Sequence, residues 1–151
     1  MGITVGSIEE LATHVGEHLG WSDWKTVTQE EVNLFADATG DHQWIHVDPE
    51  RAKSGPFGGT IAHGYMTLSL VPVLMAGMIN VAGVTMGINY GTNKVRFPSP
   101  VHVGNDIRLG ATLSEVTSVE GGWQMVVDVT IEERDASKPS CAAQVVSRLY
   151  F

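Results

Sequence analysis

The 151-residue chain is 43% apolar and 17% charged, and its nine Lys plus Arg against seventeen Asp plus Glu leave a net charge of −8. That length suits one domain, spanning 1–151, with a real core. So acidic a chain lacks the basic face that phosphate binding needs, which argues against a nucleic-acid partner, and a lone cysteine, Cys141, excludes a disulfide framework and suits a reducing compartment.

The opening "MGITVGSIEE" has neither the basic nor the apolar region of a signal peptide. Gly6 stands where N-myristoylation requires Ser or Thr. A cytoplasmic protein is the expectation. "SIEELATHVGEHLG" reads as a short helix capped by Ser7, with Glu10 completing a capping box. "DWKTVT" reads as a short strand. Thr28 and Glu31 form a second capping box ahead of "QEEVNLFADATG", where Val32, Phe35 and Ala36 share a face and Gly40 supplies a left-handed stop. Asp41 to Val47 are then expected in a loop, and Asp48-Pro49 as N-cap and first residue of a helical turn reaching about Lys53. "SGPFGG" reads as a flexible connector.

The run "GYMTLSLVPVLMAGMINVAGV", residues 64–84, has no charge and enough length for a membrane helix. Pro72, Asn80 and the absence of flanking Lys or Arg favour a buried helix instead, roughly 64–80, apolar on all sides, with no membrane insertion. Beyond it the pattern changes to period two, with strands near 84–97, 105–118, 122–134 and 140–151 and a hairpin at Gly121-Gly122. Ile107, Leu109, Ala111 and Leu113 alternate with polar residues, as do Met125, Val127, Val129 and Ile131. One apolar helix followed by long antiparallel strands predicts an α+β fold in which a curved sheet wraps a long buried central helix. A helix too apolar for one sheet, and a strand at 84–97 with a free edge, predict a homodimer.

"GDHQWIHVD", residues 40–48, concentrates the polar chemistry. His42 and His46 are four apart, but the segment matches no zinc pattern and no cysteine is near, so no metal is expected. Asp41 and His46 could form an acid–base pair at neutral pH. The same spacing equally fits an aspartate closing a turn and a histidine bonded to backbone. "GGTIAHGYM" then delivers a helix N-terminus after a glycine-rich connector. Free N–H groups there favour a developing negative oxygen, and Gly64 permits close approach. His63 reads as structural.

"FADATGDHQWIHVDPERA" followed by "FGGTIAHGYMTLSL" closely resembles the hydratase motif of the MaoC-like family of (R)-specific enoyl-CoA hydratases and 3-hydroxyacyl-thioester dehydratases, in its short, NodN-like branch. "INYGTNKVRFPSPVHVGNDI" extends the likeness over roughly residues 20–110. The resemblance implies the hot-dog fold, Asp41 and His46 as catalytic pair, and the Gly64 N–H as oxyanion donor. It also implies an acyl-CoA or acyl-carrier thioester as substrate, with coenzyme A arriving as part of it and no other cofactor. Where the family has Asn-Pro-Leu-His, this chain has Gln43-Trp44-Ile45-His46, which places Gln43 beside the substrate. An acyl tunnel could be lined by Phe57, Tyr65, Met66, Leu68 and strand 84–91, each of which could equally be plain core. Asn89 and Asn93 could contact the site or be strand-edge polar residues. Lys94 and Arg96 could receive a phosphate-bearing arm or pair with surface acids. The rival functions are a hot-dog acyl-CoA thioesterase and a non-catalytic thioester-binding protein. The thioesterase would want an acid on the central helix, and residues 64–80 contain none.

Overall fold

The computed structural model describes residues 2–151. A six-stranded antiparallel sheet runs in the order β2 (His18–Trp21), β6 (Asp106–Val119), β7 (Gly122–Glu133), β8 (Cys141–Tyr150), β5 (Met86–Arg96), with β3 (Lys25–Thr26) also paired to β6. The four long strands begin and end within two residues of where the alternation predicts. On one face Leu109 lies opposite Ile131, Ala111 opposite Val129 and Leu113 opposite Val127, all buried. Such cross-strand pairs are the unit from which the core is built. Register shifts after Leu113 in β6 and after Asn89 and Thr92 in β5 mark bulges, which bend strands and increase twist. The β6–β7 turn falls one residue earlier than expected: Glu120 and Gly121 make it, Gly121 at φ 78°, while Gly122 already pairs with Val119.

The capping rules hold along the first half, with one exchange. Ser7 accepts the Glu10 N–H at the start of α1 (Ile8–Ala12), but the Glu10 carboxylate takes the N–H of Gly6. This helix is shorter than its sequence suggests. Gly16, at φ 92°, donates its N–H to the Leu113 carbonyl, and the chain becomes β2. Thr28 and Glu31 form the full reciprocal box on α2 (Gln29–Thr39), which stops at Gly40 in the left-handed conformation, φ 82°.

The apolar run folds differently from the single long helix expected. α5 (Gly64–Ser69) and α6 (Val71–Leu74) follow one another on the core. Pro72 has no N–H to offer the carbonyl four residues back, which breaks the ladder between them. The helical path ends at Leu74, and Ile79–Val81 forms β4, paired in parallel with β1 (Ile3–Val5). Met66, Thr67, Val71 and Leu74 are buried, but Tyr65 is 74% and Val73 57% exposed, so one face of the path looks outward. No helix among the described residues is long and apolar enough to cross a membrane.

Two further features matter below. Among the described residues, strand β5 pairs with β8 alone and presents its other edge bare, with Met86, Ile88 and Tyr90 exposed on the strand. Cys141 on β8 is completely buried, and burial pushes its thiol pKa up to about 11. The Thr28 cap generates a test of the helix that positions the site: Thr28→Ala will lower the unfolding free energy by about 0.5–2 kcal/mol, the usual cost of a lost N-cap. An unchanged urea midpoint would show that the box contributes nothing.

Candidate active site

Two segments cross to make the site. The first leaves α2 through the left-handed Gly40 and turns at Asp41, whose Oδ1 accepts the Gln43 N–H at 3.3 Å, a local turn typical of aspartate. It then winds into α3 (Trp44–Val47), one helical turn where the sequence suggested loop. The His46 N–H bonds the Gln43 carbonyl and the Asp48 N–H bonds that of Trp44, which closes the turn. Asp48 caps α4 (Pro49–Ala52) by accepting the Arg51 N–H, as expected. The second segment, residues 60–63, lies against residues 101–103: Ala62 N–H bonds the Val101 carbonyl, and Val103 N–H bonds that of Thr60. Ile61 N–H then reaches across to the Ile45 carbonyl at 3.0 Å.

His46 is buried at the crossing. Its Nδ1 lies 2.7 Å from the Ile61 carbonyl oxygen, which only accepts, so Nδ1 carries the proton and Nε2 keeps its lone pair. Gln29 clamps the turn from behind, its Nε2 donating to the His46 carbonyl at 2.7 Å and its Oε1 accepting from Thr60 Oγ1 at 2.6 Å. His63 stacks on His46, ring centroids 3.8 Å apart and 24° from parallel, and its Nε2 donates to the Asp41 carbonyl at 2.9 Å. Asp41, His46 and His63 each place a donor atom within 4.8 Å of the others, close enough to share an ion. Burial pushes the His46 imidazole below its ordinary range. The Ile61 carbonyl and the Asp41 charge oppose that shift, and the neighbouring His63 adds to it.

Gly64 follows directly as the first residue of α5, and its N–H has no backbone acceptor among the described residues. A Cβ there would sit 2.9 Å from Phe97 Cδ2, so only glycine lets that ring close over the helix start. Of the sequence-predicted residues, Asp41 and His46 therefore meet beside His63, the chain neighbour of Gly64, with Gln43 between the first two in sequence.

The others are distributed around them. Trp44 spends its ring on Arg51, whose guanidinium lies 4.4 Å above it, and on Gly55. Tyr65 faces outward, edge-on to Phe97. Phe57 is exposed on the connector, and Met66 is in the core. Asn89 lines a cavity of about 480 Å³ between the helices and the sheet, with Leu68, Val71, Met75 and Met125. Asn93 instead bonds Gln144. Lys94 and Arg96 share a surface groove with Tyr65 and Phe97. The lysine and arginine ion pairs among the described residues are those of Lys25, Lys53, Arg108 and Arg134, which leaves Lys94 and Arg96 without one. His42 is a surface residue paired with Asp37. Sequence reasoning missed Gln29, Thr60 and the Ile61 carbonyl, for which no local signal exists.

Known proteins resemble the chain over most of its length. The family model described as MaoC like domain matches residues 10–135. A 3-hydroxyacyl-thioester dehydratase Z of Mycobacterium tuberculosis is 56% identical over 146 residues, 96% of this chain and 97% of its own. A nodulation protein N of Rhizobium leguminosarum bv. viciae is 44% identical over 149 residues, 96% and 92% of the two chains. A solved structure from Archaeoglobus, described as a monoamine oxidase regulatory protein, aligns with a TM-score of 0.77 at 25% identity, covering 99% and 97%.

The two loop histidines will titrate in opposite directions from ordinary histidine. The hydrogen bond that His42 donates to the Asp37 carboxylate raises His42, whereas burial lowers His46. In an NMR titration from high to low pH, His42 will protonate well before His46. The reverse order would contradict the burial and bonding described for His46.

Proposed function

The chain belongs to the MaoC-like family, and on that premise we propose that it is a hydro-lyase that reversibly adds water to a trans-2-enoyl thioester to give the (R)-3-hydroxyacyl thioester. The observation that carries the reading is the pairing of Asp41 with a buried His46 whose Nδ1–H is committed to a backbone carbonyl. That leaves one lone pair, at Nε2, beside a carboxylate and next to the start of a helix. The antiparallel sheet laid over a helical segment is the hot-dog fold that the motif implied.

The chemistry follows from those groups. Asp41 and His46 hold a water between them, and a proton leaves it for the pair as its oxygen adds to C3. The electron pair of the double bond moves onto the thioester carbonyl, where the Gly64 N–H stabilises the enolate-like oxygen. A proton returned from the pair to C2 completes the addition, so the enzyme ends as it began. Such proton transfer contributes typically about 10²–10⁴-fold in rate. No resident metal or redox group has a part in these steps.

Substrate recognition uses the surrounding residues. Gln43 borders the water, and the cavity that Asn89 lines receives the acyl chain. Phe57 and Tyr65 flank the entrance. The unpaired Lys94 and Arg96 meet the phosphates of coenzyme A or of a carrier's pantetheine arm. The bare β5 edge and the exposed Tyr65–Val73 face support a homodimer in which one copy covers the other's unpaired strand. The thioesterase alternative lacks its acid, since α5 and α6 carry no Asp or Glu.

Purified protein mixed with a short trans-2-enoyl-CoA will consume the conjugated thioester absorbance without releasing free thiol. Asp41→Asn and His46→Gln will each reduce kcat by about 10²-fold or more. Thiol release would favour the thioesterase, and silence across several chain lengths a binding role. Sedimentation will give twice the chain mass, and Tyr90→Arg on the β5 edge will shift it toward the monomer; a monomeric wild type would refute the pairing.

A further inference from the structure

Outside the proposed pair, one group near the site has no accounted purpose. His63 is 3% exposed, and its Nδ1 is buried without a hydrogen-bond partner among the described residues. A phenyl ring of the same shape would fill this space without stranding a nitrogen. What an imidazole adds is the Nε2–H, and that proton goes to the Asp41 carbonyl at 2.9 Å. No other donor reaches that carbonyl among the described residues.

The backbone of His63 is anchored independently of this bond. Its carbonyl accepts both the Thr67 N–H at 3.0 Å and Thr67 Oγ1 at 3.2 Å, inside the first turn of α5. Phe35 packs on its ring at 4.9 Å, and His46 stacks on it at 3.8 Å. Asp41, by contrast, is exposed, and among the described residues its own N–H makes only a 3.4 Å contact to Thr39 Oγ1. The fixed residue therefore reaches to the loosely held one.

We infer that His63 is a positioning residue: its Nε2–H, donated from a ring that lies against His46, fixes the Asp41 backbone, and that bond chiefly sets the separation of Asp41 and His46. Because His63 directly precedes Gly64, the same residue ties both to the helix start. A misplacement of even 1 Å at a reacting group can cost about 10²-fold. The inference rests on the hydration reading for its kinetic consequence, and on geometry alone for its structural one.

Two substitutions separate the bond from the ring. His63→Phe keeps a stacking ring and removes the donor. His63→Gln keeps an amide N–H at similar reach and removes the ring. For enoyl-CoA hydration, H63F will lower kcat by about 10–100-fold with KM nearly unchanged, and H63Q will recover most of that loss. Wild-type kcat in H63F, or equal loss in folded H63Q, overturns the proposal. Independently of turnover, hydrogen exchange in residues 40–46 will quicken in H63F and not in H63Q; unchanged exchange in H63F also overturns it. Imidazole nitrogen NMR of the wild type will place the His63 proton on Nε2, and a proton on Nδ1 refutes the donor role whatever the variants do. A wild type that hydrates no enoyl thioester would remove the functional reading, while the exchange and tautomer results would still decide the positioning.

Discussion

The site exists because two stretches that are separate in sequence are bonded edge to edge. Residues 41–46 and 61–63 share three hydrogen bonds: Ile61 N–H to the Ile45 carbonyl, His46 Nδ1 to the Ile61 carbonyl, and His63 Nε2 to the Asp41 carbonyl. Neither stretch is part of the main sheet. Each is held from behind, one by α2 and its Gln29 clamp, the other by backbone bonds to residues 101–103. Remove the seam and nothing described would hold Asp41 and His46 against the start of α5 at Gly64. With it, the groups gain the fixed geometry that catalysis by positioned groups requires.

That fixed geometry costs stability. His46 is desolvated, and His63 keeps a buried nitrogen without a partner among the described residues. A buried acceptor left unmade costs about 1–3 kcal/mol, which is large against the 5–15 kcal/mol that typically separates folded from unfolded chains. The compensation lies in the sheet, where the β6–β7 pairs bury a continuous aliphatic face. Polar strain at the crossing and apolar regularity in the sheet divide the molecule between function and stability.

How far the sequence was legible follows this division. The long strands could be read because alternation over ten or more residues leaves little choice of face. Thr28, Glu31 and Gly40 could be read because caps act locally. The pairing of Asp41 with His46 was open from spacing alone; the motif resemblance selected it. Other features left no trace to read. The Ile61 carbonyl belongs to the backbone, so no side chain announces it. The turn at Trp44–Val47 is too short for periodicity, and three-residue strands such as Ile3–Val5 and Ile79–Val81 form through tertiary pairing rather than propensity. The central helix was misjudged in length and enclosure because hydrophobicity reports a preference for leaving water, not what supplies the cover. Tyr65 and Val73 are apolar and yet uncovered within one copy.

The solitary thiol has a consequence of its own. Cys141 sits wholly inside the sheet, and burial holds it in the protonated form far above neutral pH. Oxidants and alkylating reagents act on the thiolate, so the folded chain presents them with almost nothing to attack. Reaction at this sulfur must wait for β8 to open. The rate of its modification is thus a clock for openings of the sheet around β8, readable with a thiol reagent and no engineered label.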